Sequence, residues 1–280
     1  MNPTKIDWCT MSWNPVTGCL HKCEYCYARG IARRFGGADI TDYSKTVPSI
    51  NTYFSNSQIH ELNEPVIDTS TRRIAPYPFG FDPTFHVYRL NEPALIKKPQ
   101  NIFVCSMADL FGDWIPDEWI EKVFEACIKA PQHRYLFLTK NPNRYCEILQ
   151  DAQSPDNFWF GTTVTNSDNT IIFRSNMDNI FVSLEPLQSD IKEIDYYLKW
   201  VIIGAETGNR KDKVIPKKEW IENIVNYCRE KNVPVFMKNN LVKEVWRKDK
   251  KTGEMILVQP KIWDEPLIQE FPWEINESVY

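Results

Sequence analysis

With 280 residues, 42% hydrophobic and 25% charged, the chain has the composition of a folded globular protein and not of a disordered or fibrous one. A formal net charge of −4 excludes a broadly basic surface that grips duplex nucleic acid regardless of sequence. No apolar run is long enough to cross a bilayer, and residues 1–15 lack the basic stretch and apolar core of a signal peptide, so a cytoplasmic protein without membrane contact is expected.

Short apolar runs alternate with helical patterns along the chain, the rhythm of a parallel α/β fold. A first strand is expected over residues 7–12, then a cysteine-bearing loop and a helix over 27–35. Residues 38–84, rich in Asn, Ser, Thr and Pro, break the alternation and read as an insertion. Strands over 85–88 and 102–107 follow. The helix expected over 117–130 carries the stripe Trp119, Ile120, Val123, Phe124, Cys127 and Ile128, with Asp117 or a neighbour placed to cap it. Further strands are expected over 135–138, 158–163, 180–184 and 200–203. A helix over 217–231 follows, with the stripe Trp220, Ile221, Ile224, Val225 and Cys228; Pro216 suits its first position, and Asn232 with Pro234 marks its stop. A strand over 234–237 ends the alternation, and 243–261 reads as a charged hairpin turning at Lys251-Thr252-Gly253. Eight strands make the expected architecture an α/β fold, a partial or complete (β/α) barrel over 1–240 that includes the insertion, with a C-terminal extension over 241–280.

Eight cysteines without a secretory signal do not read as a disulfide framework. Cys127 and Cys228 lie on apolar helix stripes and Cys9, Cys105 and Cys146 are scattered. Cys19, Cys23 and Cys26 are clustered in Gly18-Cys19-Leu20-His21-Lys22-Cys23-Glu24-Tyr25-Cys26-Tyr27. Three thiols on one loop after a strand can converge on a metal centre, and thiolates are soft ligands suited to iron–sulfur clusters and to zinc. Read from the residues alone, zinc with His21 or Cys9 as a fourth ligand stays open beside a cluster.

The Cys-x3-Cys-x2-Cys spacing with Tyr25 before the last cysteine resembles the signature of the radical S-adenosylmethionine (SAM) superfamily. The resemblance implies that Cys19, Cys23 and Cys26 bind three irons of a [4Fe–4S] cluster, and that the fourth iron chelates the amine and carboxylate of SAM. Tyr25 would pack beside the cluster, its backbone near the adenine. Reduction of such a cluster cleaves SAM to a 5′-deoxyadenosyl radical that abstracts hydrogen from a substrate. Trp13-Asn14-Pro15-Val16-Thr17-Gly18-Cys19, Phe85-His86 with Arg89-Leu90-Asn91-Glu92-Pro93, Ser106-Met107-Ala108-Asp109-Leu110-Phe111, Leu138-Thr139-Lys140-Asn141-Pro142, Leu184-Glu185-Pro186-Leu187 and Gly204-Ala205-Glu206-Thr207-Gly208 are similar to an uncharacterised phage-associated radical-SAM-like family with a three-Cys motif. Residues 19–29 also resemble the cluster loop of spore-photoproduct-lyase-related DNA repair proteins. The superfamily's Gly-Gly-Glu element, which holds the SAM amine, has no recognisable counterpart here.

In (β/α) barrels the active site lies at the C-terminal ends of the strands. Past each expected strand stand, in order, the cysteine loop, Arg89, Ser106 and Asp109, Lys140 and Asn141, Thr163 and Asn166, Glu185, Glu206 and Thr207, and Lys238 with Asn239. Ser106, Asp109, Thr163, Glu185 and Glu206 are candidates for holding SAM, and Lys140 and Lys238 for meeting a substrate anion. Cys105 could return a hydrogen atom to a substrate radical. A structural reading stands beside each: Glu185, Glu206, Lys140 and Lys238 pairing among themselves, Asp109 capping a turn, His86 satisfied in the core and Cys105 a buried hydrophobe. The resemblance further implies a reductant such as flavodoxin or ferredoxin and suggests a nucleobase, nucleotide or nucleic acid as substrate. A non-catalytic iron–sulfur or zinc protein associated with nucleic acid is the alternative, and the sequence leaves the oligomeric state open.

Overall fold

The computed structural model describes residues 1–36, 52–54, 57–150, 152–167, 177–192, 194, 197–208, 210–249, 251–264 and 266–275. They form two compact units, Met1–Trp159 and Phe160–Tyr280, so the boundary expected at 240/241 falls inside the second unit.

In chain order the first unit holds β1 (Asn2–Pro3), β2 (Met11–Trp13), β3 (Val16–Thr17), α1 (Tyr27–Phe35), β4 (Thr52–Phe54), β5 (Ser57–Leu62), β6 (Thr84–His86), β7 (Asn101–Val104), α2 (Asp117–Ile128), β8 (Arg134–Thr139), α3 (Asn143–Leu149) and the start of β9 (Phe158–Thr163). One sheet of this unit runs β1-β2-β7-β8. β1 is antiparallel to β2, whereas β2, β7 and β8 are parallel, with Met11 opposite Ile102 and Ile102 opposite Tyr135. Ile102, Phe103, Val104, Tyr135, Leu136 and Phe137 are all buried, as expected for strands covered on both faces. Trp119, Ile120, Val123 and Cys127 of α2 are buried, and Phe124 meets Phe137 at 5.2 Å and Phe158 at 5.4 Å between ring centroids. Each large ring so buried contributes roughly 1.5–3 kcal/mol. Ile128, expected on this stripe, is instead 58% exposed, because the helix ends there.

Several expectations shift. The first strand begins at Met11, because residues 7–9 form a turn in which the Cys9 N–H donates to Ile6. Asp117 does not cap α2; Pro116 is the N-cap, and the Asp117 carboxylate pairs with Arg144. The strand expected over 85–88 lies elsewhere. β6 pairs antiparallel with β3 (Val16 opposite Phe85) and parallel with β5, in a second sheet ordered β3-β6-β5-β4. Part of the expected insertion therefore builds a sheet, and part of it lies outside the described residues. Arg89 consequently follows no strand of the first sheet; it ends the turn Val87–Arg89 and donates through Nη1 to the Asn14 carbonyl at 3.0 Å.

His86 is buried in this second sheet, its Nε2 2.9 Å from Thr17 Oγ1 and its Nδ1 3.2 Å from the Tyr88 hydroxyl. Burial first, and then the Arg89 guanidinium, hold its pKa well below the ordinary histidine value. The unfolded chain therefore takes up the proton before the folded one. Stability is complete above about pH 6.5 and falls, by at most roughly 1.4 kcal/mol per pH unit, as the pH drops from there toward the folded-state value. Denaturant midpoints at pH 7.5 and 5.5 should differ more for the wild type than for His86→Gln. Equal pH dependence in the two would overturn this.

The second unit continues β9 and adds β10 (Ile180–Leu184), β11 (Trp200–Ile203), α4 (Lys218–Glu230), β12 (Val235–Met237), β13 (Val245–Lys248), β14 (Met255–Gln259) and α5 (Pro272–Ile275). Its strands run β9-β10-β11-β12, all parallel, and β10 and β11 are buried throughout. α4 starts one residue later than expected, with Lys217 and not Pro216 at its boundary, and Asn232 (φ +54°) turns the chain out of it. β13 and β14 form the expected hairpin, with Gly253 at φ +75° in its turn. Neither unit's strand order closes into a ring among the described residues. No helix among them is long and apolar enough to cross a membrane.

Candidate functional site

The cysteine loop joins β3 to α1 and rests on the turn that leaves β7. The Cys105 N–H donates to the Trp13 carbonyl and the Gly18 N–H to the Met107 carbonyl, at 2.7 and 2.9 Å. Asn14 Oδ1 accepts from the Ser106 hydroxyl (3.2 Å) and from the Met107 N–H (2.9 Å), and the Tyr27 hydroxyl donates to the Ser106 carbonyl at 2.7 Å. Gly18 makes this seating possible. At φ +88° it adopts a conformation costly for other residues, and an added Cβ would lie 2.2 Å from the Asp82 carbonyl oxygen and 2.8 Å from that of Phe81. Neither backbone atom can swing aside. Gly18→Ala should cost about 2–3 kcal/mol, since it combines strain with overpacking. An unchanged denaturant midpoint would refute it.

Within the loop, Lys22 takes φ +58° and the Cys26 N–H donates to the Cys23 carbonyl at 3.2 Å, folding the three cysteines onto one short segment. All three are free thiols of intermediate burial. Cys26 is the N-cap of α1, its sulfur accepting from the Arg29 N–H at 3.3 Å. A thiolate there faces the positive end of the helix. Burial pushes the Cys19 thiol up to about 12, against a lowering hydrogen bond from the His21 backbone and with the Asp109 charge adding to the rise. The Arg29 guanidinium donates to the Cys19 carbonyl at 3.0 Å and lies 4.8 Å over the Phe81 ring, pinning the loop to the helix.

Asp109 ties this loop to the neighbouring strand. Its Oδ2 accepts from His21 Nε2 at 2.7 Å and from the Lys140 N–H at 2.9 Å; its Oδ1 accepts from Thr139 Oγ1 at 2.6 Å and from the Phe111 N–H at 3.1 Å. Burial raises the pKa of this carboxyl, but hydrogen bonding and charge from His21, with Lys140 and Thr139 following, bring it below the ordinary value. Because an ionised carboxylate only accepts, the imidazole Nε2 must carry a proton here. His21 also packs edge-on against Trp114, at 4.8 Å. Asp109, expected to contact a cofactor, thus has its lone-pair positions filled by protein donors and acts as a positioning residue. Lys140 presents Nζ 5.5 Å over the Tyr25 ring and has no carboxylate partner among the described residues. Cys105, expected inside a strand, lies one residue past β7 at φ +60°; burial pushes its thiol up to about 12.

Tyr25, Cys105, Ser106, Asp109 and Lys140 therefore belong to the unit that carries Cys19, Cys23 and Cys26, whereas Thr163, Glu185, Glu206 and Lys238 belong to the other. In the second unit Lys238 Nζ pairs with Glu185 Oε1. Gly204 leaves room for this pair, since an added Cβ would lie 2.9 Å from Lys238 Cδ. Glu206, 3% exposed, accepts from Arg210 Nε and Nη2, both at 2.8 Å. Its partner is thus an arginine and not one of the two lysines. Thr163 ends β9, opposite Ser183 of β10. Asn14, Arg29, Trp114 and Thr139 were missed by sequence reasoning as site residues. Asn14 and Thr139 stand inside quoted motifs, but nothing in one sequence tells that their side chains hold the loop.

Among the described residues, no three His, Cys, Asp or Glu side chains converge closely enough to hold one metal ion. A family model described as a protein of unknown function (DUF5131) matches residues 3–266. No curated protein and no solved structure matches the chain.

Proposed function

We propose that this chain, which belongs to the DUF5131 family, is a radical SAM enzyme whose Cys19, Cys23 and Cys26 hold a [4Fe–4S] cluster. The observation that carries the reading is the three free thiols that the loop before α1 brings onto one short segment, with no group of three His, Cys, Asp or Glu side chains among the described residues closing on a single ion. A structural zinc ion asks for four protein donors around one point. A cubane cluster asks something different, because each thiolate meets its own iron. The Arg29 N–H aimed at the Cys26 sulfur suits such a cluster, since it offsets the charge of a bound thiolate. When bound and reduced, the cluster would supply the electron that cleaves SAM to methionine and a 5′-deoxyadenosyl radical.

The chain's own residues have separable tasks in this reading. Asp109, through His21, fixes the loop; Arg29 and Cys26 join it to α1; Asn14 and Ser106 seat it on the exit of β7. Tyr25 covers the loop beside Lys140. Electrons would come from a reductant such as flavodoxin or ferredoxin. The test is anaerobic: reconstitute the protein with iron and sulfide, reduce it with dithionite, and follow SAM binding by the change in the cluster's EPR signal and SAM cleavage as 5′-deoxyadenosine. Both are expected from the wild type. One zinc and no iron in the purified protein, or a full cluster whose signal ignores SAM, would overturn the reading.

A further inference from the structure

The charge around the cysteine loop runs against that of the chain. Between positions 19 and 36 stand Lys22, Arg29, Arg33 and Arg34 against Glu24 alone, in a protein of net charge −4. Arg29 is held by the Cys19 carbonyl and the Phe81 ring, but Lys22, Arg33 and Arg34 are exposed, and none of these three has a carboxylate partner among the described residues. Lys140 adds a fourth unpaired cation beside Tyr25, and this one is only half-exposed. A partly desolvated ammonium resting on a ring and lacking a counter-ion is more costly than a solvated one, and an incoming oxyanion offsets that cost.

Exposed aromatic rings stand on the same segment. Tyr27 is 48% exposed with its hydroxyl held by the Ser106 carbonyl, and Phe35 is 57% exposed. Along α1, Tyr27, Gly30 and Arg34 fall at helical spacing on one side, and a Cβ at Gly30 would meet nothing within 4 Å, so the stripe is open. Tyr27 to Arg34 spans about 10 Å of helix, roughly three stacked nucleotide steps. Cations that track phosphates, interleaved with exposed rings on which bases stack, are the requirements for holding a single strand, whose π faces are uncovered.

We infer that the face formed by Lys140, Lys22 and α1 binds a single-stranded nucleic acid and delivers it to the cysteine loop. The inference names a substrate class for the proposed enzyme; it rests on that reading for the reaction and not for the binding. Lys140 meets the phosphate nearest the loop, Lys22 and the Arg33–Arg34 pair meet neighbouring ones, and Tyr27 stacks on a base. The remaining acidity of the chain repels long duplexes.

The test uses the reconstituted 280-residue chain and fluorescein-labelled DNA and RNA single strands of about 12 nucleotides, read by anisotropy. Four phosphate contacts predict a fall in affinity of about 50-fold between 50 and 200 mM salt, and Arg33→Gln/Arg34→Gln should reduce that fall to about 7-fold. Lys140→Gln should weaken binding at every salt concentration, whereas Lys97→Gln/Lys98→Gln, at exposed lysines elsewhere in the same unit, should leave the salt slope unchanged. The β13–β14 hairpin is the rival surface, with Trp246 49% exposed beside Arg247 and Lys248. Binding that resists the α1 changes but is lost in Lys248→Gln overturns the inference, as does equal binding of mononucleotides or no binding at all. Strand binding without SAM cleavage overturns the cluster reading alone, and SAM cleavage without strand binding overturns this inference alone.

Discussion

Cys23→Ala is expected to reduce SAM cleavage to background while leaving the unfolding midpoint within roughly 0.5 kcal/mol of the wild type. The first half follows from chemistry. A cluster held by three thiolates loses one iron's only protein ligand. The second half follows from burial. Cys23 lies on a turn at intermediate exposure, where its backbone carbonyl accepts from the Cys26 N–H at 3.2 Å. Cys26→Ala should be equally inactive but cost about 0.5–1 kcal/mol more, because its sulfur caps α1. A structural metal site reverses the pattern, since the free energy of binding the metal is then folding free energy. Iron retained by Cys23→Ala with undiminished cleavage, or a several-kcal/mol loss without change in activity, would sink the enzymatic reading.

How much of this was legible depends on how local each feature is. α1 was readable to the residue, since a short helical run follows the cysteine cluster directly. The hairpin was readable for the same reason, with Gly253 supplying the positive φ of its turn. Partners distant in sequence were not. Phe85 reads as a strand, but its alternation does not say whether it lies beside β2 or, as it does, beside β3. Cys105 reads as a strand interior because its apolar neighbours continue past it; the positive φ that ends β7 there is imposed by packing. The polar residues past the expected strands were found one by one, and pairing of Glu185 with Lys238 was among the structural readings offered, but the partner of Glu206 was not. Glu206 chose Arg210, four residues on, over either lysine, because a guanidinium satisfies both carboxylate oxygens at once.

The coupling of Asp109 to His21, 88 residues apart, is the least legible part of the site and carries the second large expectation. Asp109→Ala should destabilise the first unit by about 3–5 kcal/mol, because it leaves several buried donors, among them the Thr139 hydroxyl and the Lys140 N–H, without an acceptor. Asp109→Asn keeps the shape and should cost less, but it weakens the hold on His21 in either orientation, because a neutral amide is a poorer acceptor than a carboxylate and its N–H₂ offers none. A merely structural role for Asp109 predicts that any variant still folded retains iron as the wild type does. A positioning role predicts more. At low temperature, where Asp109→Asn and His21→Gln are fully folded, both should lose iron faster than the wild type and broaden the cluster's EPR signal, because the loop is no longer held on the exit of β7. Thr139→Val, which removes one bond to Asp109 but leaves His21 in place, should lower stability without altering that signal. If Thr139→Val and His21→Gln change the signal alike, the carboxylate serves the fold as a whole and not the cysteine loop.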